Sequence, residues 1–96
     1  MNNPKKWDYT NMSTKHKRTL EAIFKKPVPA NINWDDIEKL FKNLGATIKE
    51  GSGSRLAVEL RGVRAYFHRP HPEKETDKGA VASVRRFLEN AGITPC

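Results

Sequence analysis

Between Arg55 and His68 apolar and polar residues alternate on both sides of Arg61-Gly62. A period of two on either side of a two-residue turn signal predicts an antiparallel β-hairpin and excludes a helix there. Leu56, Val58 and Leu60 share one face, with Arg55, Ala57 and Glu59 on the other. Val63, Ala65 and Phe67 continue the inward set, leaving Arg64, Tyr66 and His68 outward. One sheet face or its rim therefore gathers Arg55, Arg64, Tyr66 and His68.

The flanking segments supply what buries the apolar face. Gly51-Ser52-Gly53-Ser54 reads as a turn, preceded by a short strand over 46–50. Upstream, Asn33 is a good N-cap, and Asp35 and Asp36 suit the positive end of a helix dipole. Ile37, Leu40, Phe41 and Leu44 follow the spacing of one buried helical face, and Gly45 supplies a left-handed terminator. A first helix runs from about Thr14, capped by Ser13, to Lys25, where Pro27 and Pro29 stop it. Arg69-Pro70-His71-Pro72 is a stiff extended loop. Thr76 then caps a last helix from about Asp77 to Ala91, with Ala80, Val81, Val84, Phe87, Leu88 and Ala91 inward and Gly92 at its end. The expected class is α+β, in the order α-α-β-β-β-α, with helices packed on one face of a three-stranded antiparallel sheet.

Ninety-six residues suffice for one domain and not two. The expected division is a loosely ordered basic arm over 1–12 and a single domain over 13–96. A net charge of +7 favours polyanionic partners: RNA, DNA, an acidic protein or an anionic membrane surface. The excess crowds the first quarter, where Lys5, Lys6, Lys15, Lys17, Arg18, Lys25 and Lys26 meet only Asp8 and Glu21. Such a segment is either a solvated arm or a phosphate-contacting one. No apolar run is long enough to span a membrane, and residues 1–10 have no apolar core of the signal-peptide kind, so a cytoplasmic protein is expected. Cys96 is the only cysteine, which rules out an internal disulfide and a cysteine metal cluster.

His68 and His71 are too few to hold a metal by themselves, and no Cys or Asp stands at a matching spacing. No cofactor is expected. Imidazole does move protons near neutral pH, and metal-independent RNA cleavage needs a base for the 2′-hydroxyl and an acid for the leaving 5′-oxygen. Against this stands a structural role, with His71 capping the last helix or packing the loop. Arg55, Arg61, Arg64 and Arg69 match phosphate geometry, or else form a solvated face on which Glu59 pairs with a cation. Tyr66 suits base stacking or half-burial equally. The glycine-serine turn can cradle phosphate through backbone amides, but lacks the Gly-Lys-Ser/Thr ending of a nucleotide-hydrolysing loop. Trp34 reads as a core or rim residue.

Taken together, roughly residues 33–93 resemble the HicA family of toxin–antitoxin toxins. The resemblance rests on Asn43-Leu44-Gly45-Ala46 at a helix end, on Gly53-Ser54 leading into a strand, and on Pro70-His71. Gly79 early in the last helix and the run from Val84 through Gly92 complete it. It implies a fold like that of the double-stranded-RNA-binding domain, metal-independent mRNA cleavage, and neutralisation by a HicB-type antitoxin. The helix before Pro27 is an addition to the family pattern. Family members commonly carry Gly-Ser-His with that histidine catalytic, whereas this chain has Gly53-Ser54-Arg55. An arginine stays protonated and cannot act as an ordinary base.

The expected function is that of an RNA-binding toxin and mRNA endoribonuclease. His71 or His68 would transfer protons, while Arg55, Arg64 and Arg69 grip phosphate, Ser54 orients backbone and Tyr66 meets a base. The alternatives are a non-catalytic RNA-binding module, to which Arg55 points, and a basic adaptor for an acidic protein.

Overall fold

The computed structural model describes residues 12–95. Their order is α1 (Thr14–Ile23), β1 (Ile32–Asn33), α2 (Trp34–Asn43), β2 (Thr47–Glu50), β3 (Arg55–Leu60), β4 (Val63–His68), β5 (Glu75–Thr76) and α3 (Lys78–Asn90). The arm expected over 1–12 lies outside the described residues except for Met12, which is buried in the core. Cys96 lies outside them as well.

The hairpin forms as its alternation dictates. β3 and β4 pair from Arg55↔His68 to Leu60↔Val63 without a bulge. Arg61 (φ +52°) and Gly62 (φ +82°) both adopt the left-handed conformation that a two-residue hairpin turn needs to match strand twist. β2 joins the other side of β3, from Thr47↔Glu59 to Glu50↔Leu56. The turn between them closes through Gly51 N–H, which donates to Arg55 O at 2.8 Å. Leu56, Val58, Leu60 and Phe67 are buried, so one sheet face is covered and the other is open.

Helix α2 covers much of that face. The Asn33 side chain accepts from Asp35 N at 2.8 Å, and Ile37, Leu40 and Phe41 are wholly buried. Gly45 (φ +92°) reverses the chain, letting Ala46 N–H reach Phe41 O at 3.0 Å. The rings of Trp34, Phe41, Phe67 and Phe87 meet with centroids 5.6–6.4 Å apart, joining α2, β4 and α3 in one aromatic core. Trp34 is thus a core residue.

Two boundaries differ from those read in the sequence, and one strand pair is added. Asp77, not Thr76, caps α3, its carboxylate accepting from Ala80 N at 2.7 Å. Thr76 belongs instead to β5, which pairs antiparallel with β1 through Ile32↔Thr76 and Asn33↔Glu75 and carries Thr76 into the core. Strands of two residues show no alternation to detect. The chain expected to remain helical to Lys25 leaves α1 at Ile23, because Lys25 N–H turns to Ala22 O at 3.2 Å, a tighter turn than the α-helix allows.

α1 packs against α2 and α3 and buries Leu20 and Ile23 completely. At about 1.5–3 kcal/mol for each such side chain, this burial holds α1 against α2 and α3. Arg85 of α3 secures it, donating from Nε to Ile23 O at 3.0 Å and from Nη2 to Lys25 O at 2.9 Å. A cation there also opposes the negative end of the helix dipole. The fold is α+β, with the expected order α-α-β-β-β-α supplemented by the β1–β5 pair. Its α2-β2-β3-β4-α3 portion is double-stranded-RNA-binding-domain-like.

Candidate nucleic-acid interface

The open sheet face is organised in cross-strand rows. Arg55 is paired with His68, Ala57 with Tyr66, and Glu59 with Arg64. β2 extends two of the rows, placing Lys49 beside Ala57 and Thr47 beside Glu59. Side chains directly opposed in this way are close neighbours, because Cα atoms of non-hydrogen-bonded pairs lie about 4.5 Å apart. Four of the residues singled out in the sequence, Arg55, Arg64, Tyr66 and His68, are therefore brought together.

The small Ala57 leaves space beside Tyr66, which is 65% exposed. An open depression of about 390 Å³ is lined by Arg55, Tyr66 and His68. A second, of about 190 Å³, lies on the other side of Tyr66 against Thr47, Lys49 and Arg64. An accessible phenol ring between two recesses bordered by cations offers a stacking surface for a base and charge for the phosphates on either side.

The cations differ in how they are engaged. The Arg55 side chain makes no hydrogen bond or ion pair with a described residue. Arg64 donates from Nη2 to Glu59 at 3.1 Å, and that carboxylate, with Tyr66, raises the guanidinium pKa. Both partners of this pair are exposed, so it contributes little and a phosphate can compete for Arg64.

Arg69 stands apart from the face. Its guanidinium donates to Glu38 at 2.5 and 3.0 Å and to Glu50 at 2.6 and 2.7 Å. Glu50 shares the helix-facing parity of its partner Leu56, and Glu38 lies on α2, so the Arg69 side chain is directed to the helix side. Its hydrogen bonds hold both carboxyls below the usual glutamate pKa, although desolvation of each works in the opposite direction. Glu38 also accepts from the Trp34 indole N–H. The Arg69 backbone N–H donates to Ser54 O at 2.9 Å. Arg69 thus ties the turn before Arg55 to α2 and β2, and Ser54 enters this tie through its carbonyl.

His71 is exposed in the loop after β4, outside the cross-strand rows. Asp77 rather than His71 caps α3. Arg61 occupies the hairpin turn at the opposite end of the ladder from His68. Among the described residues, no group of three or more His, Cys, Asp or Glu is placed to hold a metal. No described helix is long and apolar enough to cross a membrane.

Lys49 was missed in the sequence, though its parity with Thr47 was available to place it on the open face. The Arg69 tie had no comparable signal, because Glu38 is 31 residues away in the chain.

No curated protein and no solved structure matches the chain. A family model described as the HicA toxin of bacterial toxin–antitoxin systems matches residues 34–93, from the first residue of α2 to just beyond α3. That span contains the whole open face and the Arg69 tie, leaving α1 and β1 outside it. The chain belongs to the HicA toxin family.

Proposed function

We propose that this toxin binds mRNA on the open face of β2, β3 and β4 and cleaves it without a metal ion, under restraint by a HicB-type antitoxin. The observation that carries the reading is the Arg55–His68 pair beside the exposed Tyr66 ring. Tyr66 takes a base, while Arg55, Arg64 and Lys49 take phosphates.

In the cleavage step an imidazole, that of His68 or His71, accepts the 2′-hydroxyl proton. The 2′-oxygen forms a bond to the adjacent phosphorus, and the bond from phosphorus to the 5′-oxygen breaks. A proton from a second imidazole or from water goes to the departing 5′-oxygen, leaving a 2′,3′-cyclic phosphate. Arg55 offsets the negative charge that builds on the phosphoryl oxygens. Arg69 supports the geometry by fixing the turn that carries Arg55 and the strand end that carries His68.

A second reading is RNA binding without cleavage. Arg55 favours it, since an always-charged guanidinium follows Gly53-Ser54 where the family commonly has its catalytic histidine.

Incubation of purified protein with a long mixed-sequence RNA in EDTA separates the two. Cutting that His68→Ala or His71→Ala abolishes, with RNA affinity kept within about threefold, supports the nuclease. Retention of intact RNA by folded wild-type protein supports the binding module.

A further inference from the structure

β4 is an edge strand: in the order β2-β3-β4 it has one described neighbour. Its six residues carry no proline and pair with β3 without a bulge, so two of the usual protections of a strand edge are absent. The two-residue turn makes Leu60–Val63 a hydrogen-bonded pair, and alternation follows along the ladder to Arg69 N–H, which donates to Ser54 O. The main-chain N–H and C=O groups of Arg64, Tyr66 and His68 accordingly point away from β3, toward the open edge.

Beside that edge runs one stripe of α3. Ser83, Arg86 and Asn90 are exposed and, with β4, line an open groove of about 190 Å³. The Arg86 side chain makes no hydrogen bond or ion pair with a described residue. The groove thus combines a row of alternating backbone donors and acceptors with a cation unpaired among the described residues.

We propose that this groove receives an extended, carboxylate-bearing segment of a protein partner, which adds to the sheet as a fourth strand beside β4. Only another strand matches alternating N–H and C=O groups along their length. Alternate residues of the added strand lie on the α3 side, where a carboxylate meets Arg86. The intervening residues lie on the open face, next to Arg64, Tyr66 and His68. Charge argues against a second copy of this chain as the occupant. β4 contains no carboxylate, so antiparallel self-pairing centred on Tyr66 sets Arg64 against His68 and leaves Arg86 unpaired. The proposal concerns a protein-docking edge and does not depend on RNA cleavage. If the face also holds RNA, a strand here crowds Tyr66 and His68, so partner and RNA compete.

The test is selection of phage-displayed random ten-residue peptides on the full chain, followed by measurements on synthetic copies of those enriched. The expected peptides carry Asp or Glu at alternate positions. Their binding falls at least tenfold with Arg86→Glu, and at least tenfold when alternate peptide amides are N-methylated, which removes backbone pairing but keeps charge. Amide exchange at Arg64, Tyr66 and His68 slows at least tenfold in the complex. The proposal is overturned if no peptide is enriched, if the N-methylated peptide binds equally well, or if those amides exchange at the free rate. Sedimentation as a dimer with the same amides already protected also overturns it, in favour of a second copy at the edge.

Discussion

His68 stands directly across the β3–β4 ladder from Arg55, so an imidazole and a guanidinium unpaired among the described residues leave the same exposed sheet face side by side. Arg55, the residue that follows Gly53-Ser54, therefore has a histidine as its ladder partner.

Substitution at Arg55 distinguishes phosphate grip from proton transfer. Arg55→Ala is expected to reduce the slope of log affinity against log salt by about 0.7 on single-stranded RNA, the loss of one phosphate contact. On the nuclease reading, Arg55→His is expected to raise cleavage, because it places a second imidazole beside His68. An unchanged salt slope in the alanine variant would remove Arg55 from the interface.

Tyr66 is exposed on a face whose neighbours are cations, and its ring rests beside the small Ala57. Tyr66→Ala is expected to weaken single-stranded RNA binding by about 1–3 kcal/mol, while Tyr66→Phe stays close to wild type because the stacking surface remains. Titration of a fluorescent oligonucleotide checks both. Equal losses in the two variants would assign the effect to the hydroxyl instead.

The hairpin and α2 were legible because their signals are local and redundant. Leu56, Val58, Leu60 and Phe67 set a face by period two, Ile37, Leu40 and Phe41 set one by period 3.6, and Gly45 and Gly62 mark ends where positive φ is required. From that alternation alone the grouping of Arg55, Arg64, Tyr66 and His68 followed. Arg69 was different. Its sequence neighbourhood, between His68 and Pro70, fits a phosphate ligand as well as a structural tie. The partners that distinguish these roles, Glu38 and Glu50, arrive from two other elements. The β1–β5 pair was hidden for a related reason, since Ile32 and Thr76 define it only after both loops have been placed.

The Arg69 tie makes stability depend on acidity. Glu38 and Glu50 are held below the ordinary value of 4.5 in the folded chain. Their contribution is therefore present above that pH and disappears as pH falls through the depressed values. Arg69 remains charged throughout this range. Urea unfolding of the wild type and Arg69→Met is expected to show a stability difference at pH 7 that narrows steadily below pH 4.5. A difference constant from pH 7 to pH 3 would mean that the carboxylates gain nothing from Arg69.

Arg85 joins the helix outside the family-matched span to the matched domain. It reaches Ile23 O and Lys25 O while its guanidinium carbon lies 5.8 Å from the centre of the Phe24 ring. Arg85→Met keeps an apolar stem of similar length and removes the donors and the charge. The expected loss is about 1–2 kcal/mol, in the range for hydrogen bonds from a charged group that is partly open to water. Because Leu20 and Ile23 stay buried, the loss should concentrate at the C-terminal end of α1. Amide exchange there should accelerate more than in α2, whose caps and buried face do not involve Arg85. Uniform acceleration across α1, α2 and α3 would show instead that the helices open as one unit, making α1 as integral to the fold as the helices the family shares.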